Sequence, residues 1–239
     1  MKTPRAWLLG GAALTLVCVT ATAAAVVYLA DPPVRELTTT EPLPFGPGPV
    51  AVRGTGTYAE LMVLVDDVAE ASLTTRVRWT RVEPVASRSA HDGLVQLETQ
   101  CDVVDPYPLD NHCGVDYTLR VPAGTALSVT WHEGTVTIDG PQEALSVRAD
   151  SGPVTVSRAR SAAVDVFCMW GRVTVGFAAP PRDVRVNTTS GDIRIDVPDG
   201  GYRIDAVARD GVAAVRAPHD PDAAATISAH AEDGDVSVA

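Results

Sequence analysis

Apolar and polar residues alternate in short runs along most of the chain after residue 50. Examples are LMVLV at 61–65, LTTRVRW at 73–79 and YTLRV at 117–121. A period of two, combined with many Val, Thr and Leu residues, predicts β-strands that each bury one face. No stretch beyond the first thirty residues has the apolar spacing of a long helix, so we predict an all-β fold for this part of the chain.

The strand pattern repeats after about residue 125, with one glycine in each unit. Two neighbouring units read LSVTWHEGTVTIDG from Leu127 and LSVRADSGPVTVSR from Leu145. The spacings between successive glycines are 18, 19, 20, 20 and 23 residues, and near-equal spacing of similar units is typical of repeat folds. The repeat-turn glycines are Gly134, Gly152, Gly171, Gly191, Gly211 and Gly234.

Two architectures fit these units. In a β-solenoid each unit forms one coil that stacks on the next, whereas in a sandwich or meander the glycine turns join hairpins. Similarity between units is needed where each coil packs on a near copy, so we favour a single-stranded, right-handed β-helix with coils of roughly 18–23 residues. The chain end at Gly234–Ala239 would then form an exposed end of the stack, open to end-to-end pairing. Side chains predicted to point inward are Leu145, Val147, Val154 and Val156, and those predicted to point outward are Arg148, Thr155 and Ser157.

An uncharged segment runs from Ala6 to Ala30, with Lys2 and Arg5 on its N-terminal side. At about 1.5 Å per residue it is long enough to cross the hydrocarbon core of a bilayer. The positive residues predict that the chain beyond residue 31 lies outside the cytoplasm. A cleaved signal peptide is the alternative, but its apolar region is usually shorter. We therefore predict an uncleaved single-pass transmembrane helix, a signal anchor, within residues 1–30 at the cell membrane.

Residues 31–49 contain the run EPLPFGPGP, whose prolines and glycines oppose both helix and sheet hydrogen bonding. Such a run acts as a semi-stiff spacer. We therefore predict three regions, which are the anchor at 1–30, a linker at 31–49 and a repetitive β domain at 50–239.

Cys101 and Cys113 bracket a loop with two prolines and little apolar content. A disulfide would hold the loop ends together, and export to an oxidising compartment permits it. A metal site at Cys101, His112 and Cys113 lacks the CxxC pairs of zinc sites, so we predict the disulfide. Cys168 lies in an alternating run and is predicted to be a buried free thiol.

Charge and motifs narrow the function. Beyond residue 30 the chain holds 17 basic and 30 acidic side chains, a net charge of −13, and no lysine. This excess opposes binding to nucleic-acid phosphates, so we expect no nucleic-acid partner. The chain contains no GxSxG, P-loop or HExxH sequence, and its histidines stand singly near turns. We therefore predict no catalytic residue, no metal site and no cofactor.

Trp131 and Trp170 each precede a repeat glycine. Stacked on one face of a solenoid, they would form an exposed aromatic patch suited to a sugar ring, which we keep as a speculative ligand site. Packing of these rings in the core or at the coil edge is the alternative.

The run CGVDYTLRVPAGTALSV at 113–129, followed by the glycine repeats, resembles the bacterial putative-adhesin family of unknown function. The resemblance covers residues 50–239 and is most specific in YTLRVPAGTALSV. It implies an extracytoplasmic β-helix behind an N-terminal membrane segment, and it implies no catalytic residues. We therefore predict a non-enzymatic, adhesin-like surface module whose partner is a cell-wall polymer, a glycan or a surface protein.

Two other functions stay open at this point. A carbohydrate-active β-helix enzyme would need acids and bases clustered on one face across neighbouring coils. The ectodomain of an envelope sensory complex would need a partner protein, because only residues 1–5 precede the apolar segment.

Overall fold

Nineteen β-strands and no helix make up the described part of the chain. The computed structural model describes residues 33–44, 48–56, 59–101 and 113–239, so the predicted anchor at 1–30 lies outside them. Within these ranges there is no helix long and apolar enough to span a membrane. The strands are β1 (Arg35–Pro42), β2 (Val50–Gly56), β3 (Ala59–Asp66), β4 (Ser72–Trp79), β5 (Val85–His91), β6 (Leu94–Gln100), β7 (Cys113–Pro122), β8 (Leu127–Glu133), β9 (Val136–Asp139), β10 (Leu145–Ser151), β11 (Val154–Ala159), β12 (Ala163–Trp170), β13 (Val173–Phe177), β14 (Asp183–Ser190), β15 (Ile193–Asp196), β16 (Arg203–Asp210), β17 (Ala213–Val215), β18 (Thr226–Asp233) and β19 (Val236–Val238).

These strands form two mixed sheets around one apolar core, which confirms the all-β prediction. The ten-stranded sheet has the order β1-β4-β7-β3-β9-β11-β13-β15-β19-β17. The nine-stranded sheet has the order β16-β18-β14-β12-β10-β8-β2-β6-β5. Parallel pairs prevail, and the antiparallel pairs lie at one end, where β4 joins β1 and β7 and where β5 joins β6.

Each repeat unit contributes one strand to each sheet, with the glycine turn between them. In the unit that begins at Leu145, β10 pairs in register with β8 and β12, and β11 pairs with β9 and β13. Leu127, Leu145 and Val164 therefore stand side by side. This follows from the sequence period, because similar units bring similar residues to the same place in neighbouring strands.

The order of units in the stack differs from their order in the chain. The last unit, β18 and β19, lies between the unit of β14 and β15 and the unit of β16 and β17. The exposed end of the stack is therefore the unit at 203–215, and not Gly234–Ala239 as the sequence predicts. Packing explains the exchange, because Ile227, Val236 and Val238 of the last unit are fully buried between neighbours.

Arg35–Pro42, which the sequence places in the linker, is strand β1 at the edge of the ten-stranded sheet. The three threonines at 38–40 favour an extended strand, and an edge position tolerates side chains that are exposed on both faces. The proline- and glycine-rich run therefore shortens to the segment between β1 and β2.

Side chains alternate between core and surface as the sequence predicts. Leu145, Val147, Val154 and Val156 are all buried. Arg148, Thr155 and Ser157 lie on the outer surface, where the first is exposed and the other two are partly covered.

The repeat glycines stand in a column along one corner of the stack. At Gly152 φ is +114°, and a Cβ atom there would lie only 2.2 Å from the carbonyl oxygen of Gly134. Beside this contact the amide of Gly134 donates a hydrogen bond of 2.9 Å to Ser151 O. The turn therefore needs glycine both for its backbone conformation and for the close approach of the next unit.

The predicted disulfide is present, with the Cα atoms of Cys101 and Cys113 6.0 Å apart. The loop interior at 102–112 lies outside the described residues. Cys168 is free and buried, as predicted. Burial raises the pKa of its thiol, which keeps the group protonated and poorly nucleophilic.

Candidate functional site

Three apolar side chains lie outside the core on β12, in the middle of the nine-stranded sheet. Val166 and Cys168 point into the core, so the alternation of the strand places Phe167 and Met169 on the outer face. Trp170 is the last residue of β12, directly before the glycine turn, and is 57% exposed. We call Phe167, Met169 and Trp170 the aromatic strip.

Polar side chains flank the aromatic strip on both neighbouring strands. Adjacent strands are about 4.8 Å apart, so hydrogen-bonding groups stand within one strand spacing of each ring. The residues in register with Phe167 and Trp170 are Arg148 and Ser151 on β10, and Asn187 and Ser190 on β14.

Charged groups close to the strip are paired with each other. Nη2 of Arg148 lies 3.7 Å from Oδ2 of Asp165, and Nδ1 of His132 lies 2.8 Å from Oδ2 of Asp150. All four side chains are about half exposed, so water screens both pairs and they add little to stability. The surface around the strip is therefore polar, and Arg148 on it is already paired with Asp165.

The aromatic strip differs from the neighbouring strands, which carry polar residues at the equivalent outward positions. Single exposed apolar residues are common on soluble proteins and need no special explanation. Here two successive outward positions, Phe167 and Met169, are apolar, and Trp170 is exposed beside them at the end of the strand. Flat aromatic faces beside hydroxyl, amide and guanidinium groups suit a ligand that has apolar faces and polar edges, such as a sugar ring.

The structure separates the two tryptophans of the speculative patch. Trp131 is only 2% exposed and belongs to the core, so the predicted pair of stacked tryptophans does not form. The sheet register explains the difference: Trp131 is in register with Ala149 and Cys168, which are buried, whereas Trp170 lies two residues further along its strand, in register with Ser151 at the strand end. Trp170 alone remains at the surface.

A missing side chain on the neighbouring strand makes room for Trp131. Gly54 stands beside Trp131 in the sheet register, and a Cβ atom at Gly54 would lie 2.0 Å from the indole ring. The indole packs edge to face against Tyr117, with ring centroids 6.3 Å apart. Trp131 is therefore a core residue that two neighbours fix in place.

Phe167 and Met169 are the residues that the sequence reading misses. The signal is present in the run VDVFCMW, where Val164, Val166 and Cys168 set the inward parity. The equivalent outward place next to Phe167 is polar in both neighbouring units, which makes the two apolar residues unusual. His132, one of the histidines near a turn, contacts Asp150 of the next unit. Within the described ranges no three metal-ligating side chains come together.

A second surface feature is a groove across β3, β4, β7 and β9 on the ten-stranded sheet. Glu60 and Asp116 lie in register on adjacent strands within this groove. Asp116 is paired with Arg78 at 3.0 Å, whereas Glu60 forms no ion pair within the described residues. The outward side chains of the adjoining row are Thr74, Thr118, Met62 and Thr137.

Three solved structures are similar to this chain at low sequence identity. The first is a putative cell adhesion protein from Clostridium sporogenes ATCC 15579, with 8% identity, a TM-score of 0.49, and coverage of 86% of this chain and 99% of that chain. The second is a putative adhesin from Parabacteroides distasonis ATCC 8503, with 11% identity, a TM-score of 0.38, and coverage of 87% and 98%. The third is a putative adhesin from Parabacteroides merdae ATCC 43184, with 11% identity, a TM-score of 0.31, and coverage of 86% and 96%. No protein-family model and no curated protein sequence matches the chain.

Proposed function

We propose that the protein is a non-enzymatic, adhesin-like surface module whose aromatic strip binds a neutral polysaccharide of a cell wall or cell surface. The observation that carries this proposal is the exposed Trp170 beside the partly exposed Phe167 and Met169 on a polar sheet face. Stacking of sugar rings on the strip would bury apolar area, and the flanking serine and asparagine side chains would bond the sugar hydroxyls.

The charge of the molecule favours a neutral polymer over an anionic one. The chain beyond residue 30 has a net charge of −13, which repels polyanions. Near the strip Arg148 is already paired with Asp165, so it is not a free cation for an acidic sugar. Uncharged polysaccharides avoid both costs.

The architecture that we propose is a right-handed β-solenoid. The in-register parallel pairing of successive units in both sheets supports it, and right-handed connection is the rule for parallel crossovers. Such a stack presents one long face, which suits an extended partner better than a compact ligand.

The proposed location is the cell membrane, with the β domain outside the cytoplasm. The apolar segment Ala6–Ala30 supports an anchor, and Lys2 and Arg5 before it support this orientation. The disulfide between Cys101 and Cys113 fits an oxidising compartment.

The test is retention of the intact protein on a panel of insoluble cell-wall polysaccharides, with release of soluble sugar measured in parallel. Phe167→Ser and Trp170→Ser should each weaken retention, because they remove stacking surface without touching the core. Leu37→Ser, which replaces a 49% exposed apolar residue of β1 in the ten-stranded sheet, away from both candidate sites, is the matched control and should bind like the parent. Loss of retention in all three variants, or in none, would contradict the assignment of the site.

The carbohydrate-active enzyme remains a second candidate because the groove on the ten-stranded sheet holds Glu60 and Asp116 on adjacent strands. Adjacent strands are about 4.8 Å apart, so these in-register carboxylates are near the separation of about 5–5.5 Å that retaining hydrolysis of a glycosidic bond requires. Release of soluble sugar that is lost in Glu60→Gln and Asp116→Asn, but kept in Trp170→Ser, would establish this function instead.

A further inference from the structure

The two ends of the stack are built differently. At one end the sheet edges are β1 and β5, and an ion pair between Glu41 of β1 and Arg88 of β5 joins them. At the other end the edges are the parallel strands β16 and β17. At this open end, strand β17 consists of Ala213, Ala214 and Val215, so it has no charged side chain that could join it to β16 as Glu41 joins Arg88.

Within the described residues, the open end exposes apolar side chains together with backbone groups that have no strand partner. Ala206 and Ala208 of β16 point inward but are only partly buried, because no further unit covers them. On the outer face Val207 is 45% exposed. An edge of this kind is a template for pairing with another strand, and proteins usually block it with charge, proline or a covering segment.

A covering segment blocks only the start of β16. Arg203 N donates to Ala225 O on the inner side, so the even-numbered amides of β16 face the open edge. There the amide of Ile204 donates to Nδ1 of His219 at 3.2 Å, and Tyr202 forms a bridge with His219. The free stretch of the edge therefore begins at Asp205.

The free stretch reads Asp205-Ala206-Val207-Ala208-Arg209, which is complementary to itself in antiparallel pairing. With Val207 on a two-fold axis, Asp205 faces Arg209 of a second copy, alanines face alanines, and the two valines face each other. Arg209 forms no ion pair within the described residues, whereas Asp205 already contacts His230 at 2.9 Å. A second copy would thus supply the missing partner of Arg209.

We propose that two copies of this chain pair through residues 205–209 of β16, antiparallel, with Val207 on the two-fold axis. A two-fold interface uses the same patch on both copies, as this self-complementary stretch does. The amides of Ala206 and Ala208 form the hydrogen-bonded pairs, and Val207 occupies the non-hydrogen-bonded position between them. The N-terminal strands β1 would then lie at the two far ends of the dimer, an arrangement that joins two opposed surfaces.

The test is disulfide trapping in the full-length protein in native membranes, followed by non-reducing electrophoresis. In a non-hydrogen-bonded antiparallel pair the Cα atoms are about 4.5 Å apart, within the range of a disulfide. Val207→Cys should therefore form a reducible dimer. Arg209→Cys alone is the matched control, because its two copies would be separated by about 14 Å along the strands.

A further pair of variants tests the register of the two strands. Differently tagged Asp205→Cys and Arg209→Cys chains, expressed together, should cross-link to each other because these positions face across the axis. The pairing predicts about tenfold more dimer for Val207→Cys than for Arg209→Cys, as the separations differ so strongly. Equal cross-linking of all variants, or no excess for Val207→Cys, overturns the proposal. Binding of the aromatic strip to polysaccharide does not depend on this outcome.

Discussion

Replacement of Gly152 by alanine tests the stacking of the units most sharply. Alanine at a φ of +114° is strained by about 1 kcal/mol or more. The new Cβ would also lie 2.2 Å from the oxygen of Gly134, so the two units must separate locally. Weakening the adjacent hydrogen bond between Gly134 and Ser151 costs about 1–3 kcal/mol. We expect a loss of about 3 kcal/mol, a large part of a typical stability of about 5–15 kcal/mol.

Alanine substitutions at three other glycines separate the backbone strain from the steric contact of the new Cβ atom. Gly124 has a φ of +83° but open space, so Gly124→Ala measures the backbone strain alone. Gly211 lacks a positive φ but would place its Cβ 2.2 Å from a neighbouring carbonyl, so Gly211→Ala measures the contact alone. Gly176 has neither feature and is the control. Urea unfolding of the four variants should rank Gly152→Ala as the least stable; equal midpoints for Gly152→Ala and Gly176→Ala would refute the reasoning.

Two further predictions concern the disulfide and the ion pair between Arg158 and Asp139. Cys101→Ser with Cys113→Ser should lower the free energy of unfolding by about 3 kcal/mol, measured against the oxidised parent; a reduced parent that is equally stable to the oxidised one would contradict this. The Arg158 guanidinium lowers the pKa of the Asp139 carboxyl, so the pair stabilises the fold above the ordinary carboxyl pKa of about 4, and this contribution is lost as pH falls below it. Arg158→Asn, which tolerates the positive φ of that position, should flatten the acid limb of stability against pH. Parallel acid limbs in parent and variant would show that the pair contributes nothing.

Much of the fold can be predicted from the sequence because the repeat units are similar to one another. The inward direction of Leu145 and Val147 and the glycine turns follow from a period of two and from turn chemistry. The position of the last unit does not follow, because the order of stacking depends on which unit buries more apolar area between neighbours. The same holds for β1, whose threonines favour a strand while the nearby prolines suggest a linker.

The candidate site can be predicted from the sequence only in part. Trp170 is identified by its type and its place beside a glycine, but this alignment hides that Trp170 ends its strand, two residues beyond the place equivalent to Trp131. Counting from the buried valines of β12 gives the outward direction of Phe167 and Met169, whereas Trp170 is exposed because it lies at the strand end. The pairing of His132 with Asp150 is between units, so no single-unit reading finds it.

The central claim is that the aromatic strip is a binding surface, and tryptophan emission during titration with a retained polysaccharide tests it most directly. Trp79 and Trp131 are buried, and Trp7 lies outside the described residues, so the titration uses a Trp7→Phe background. There a change caused by surface contact should come from Trp170, which is 57% exposed. The account predicts a blue shift of emission on binding that disappears in Trp170→Phe, while this variant keeps part of its affinity through the remaining ring. Binding without a change in emission, or a shift that persists in Trp170→Phe, would contradict it.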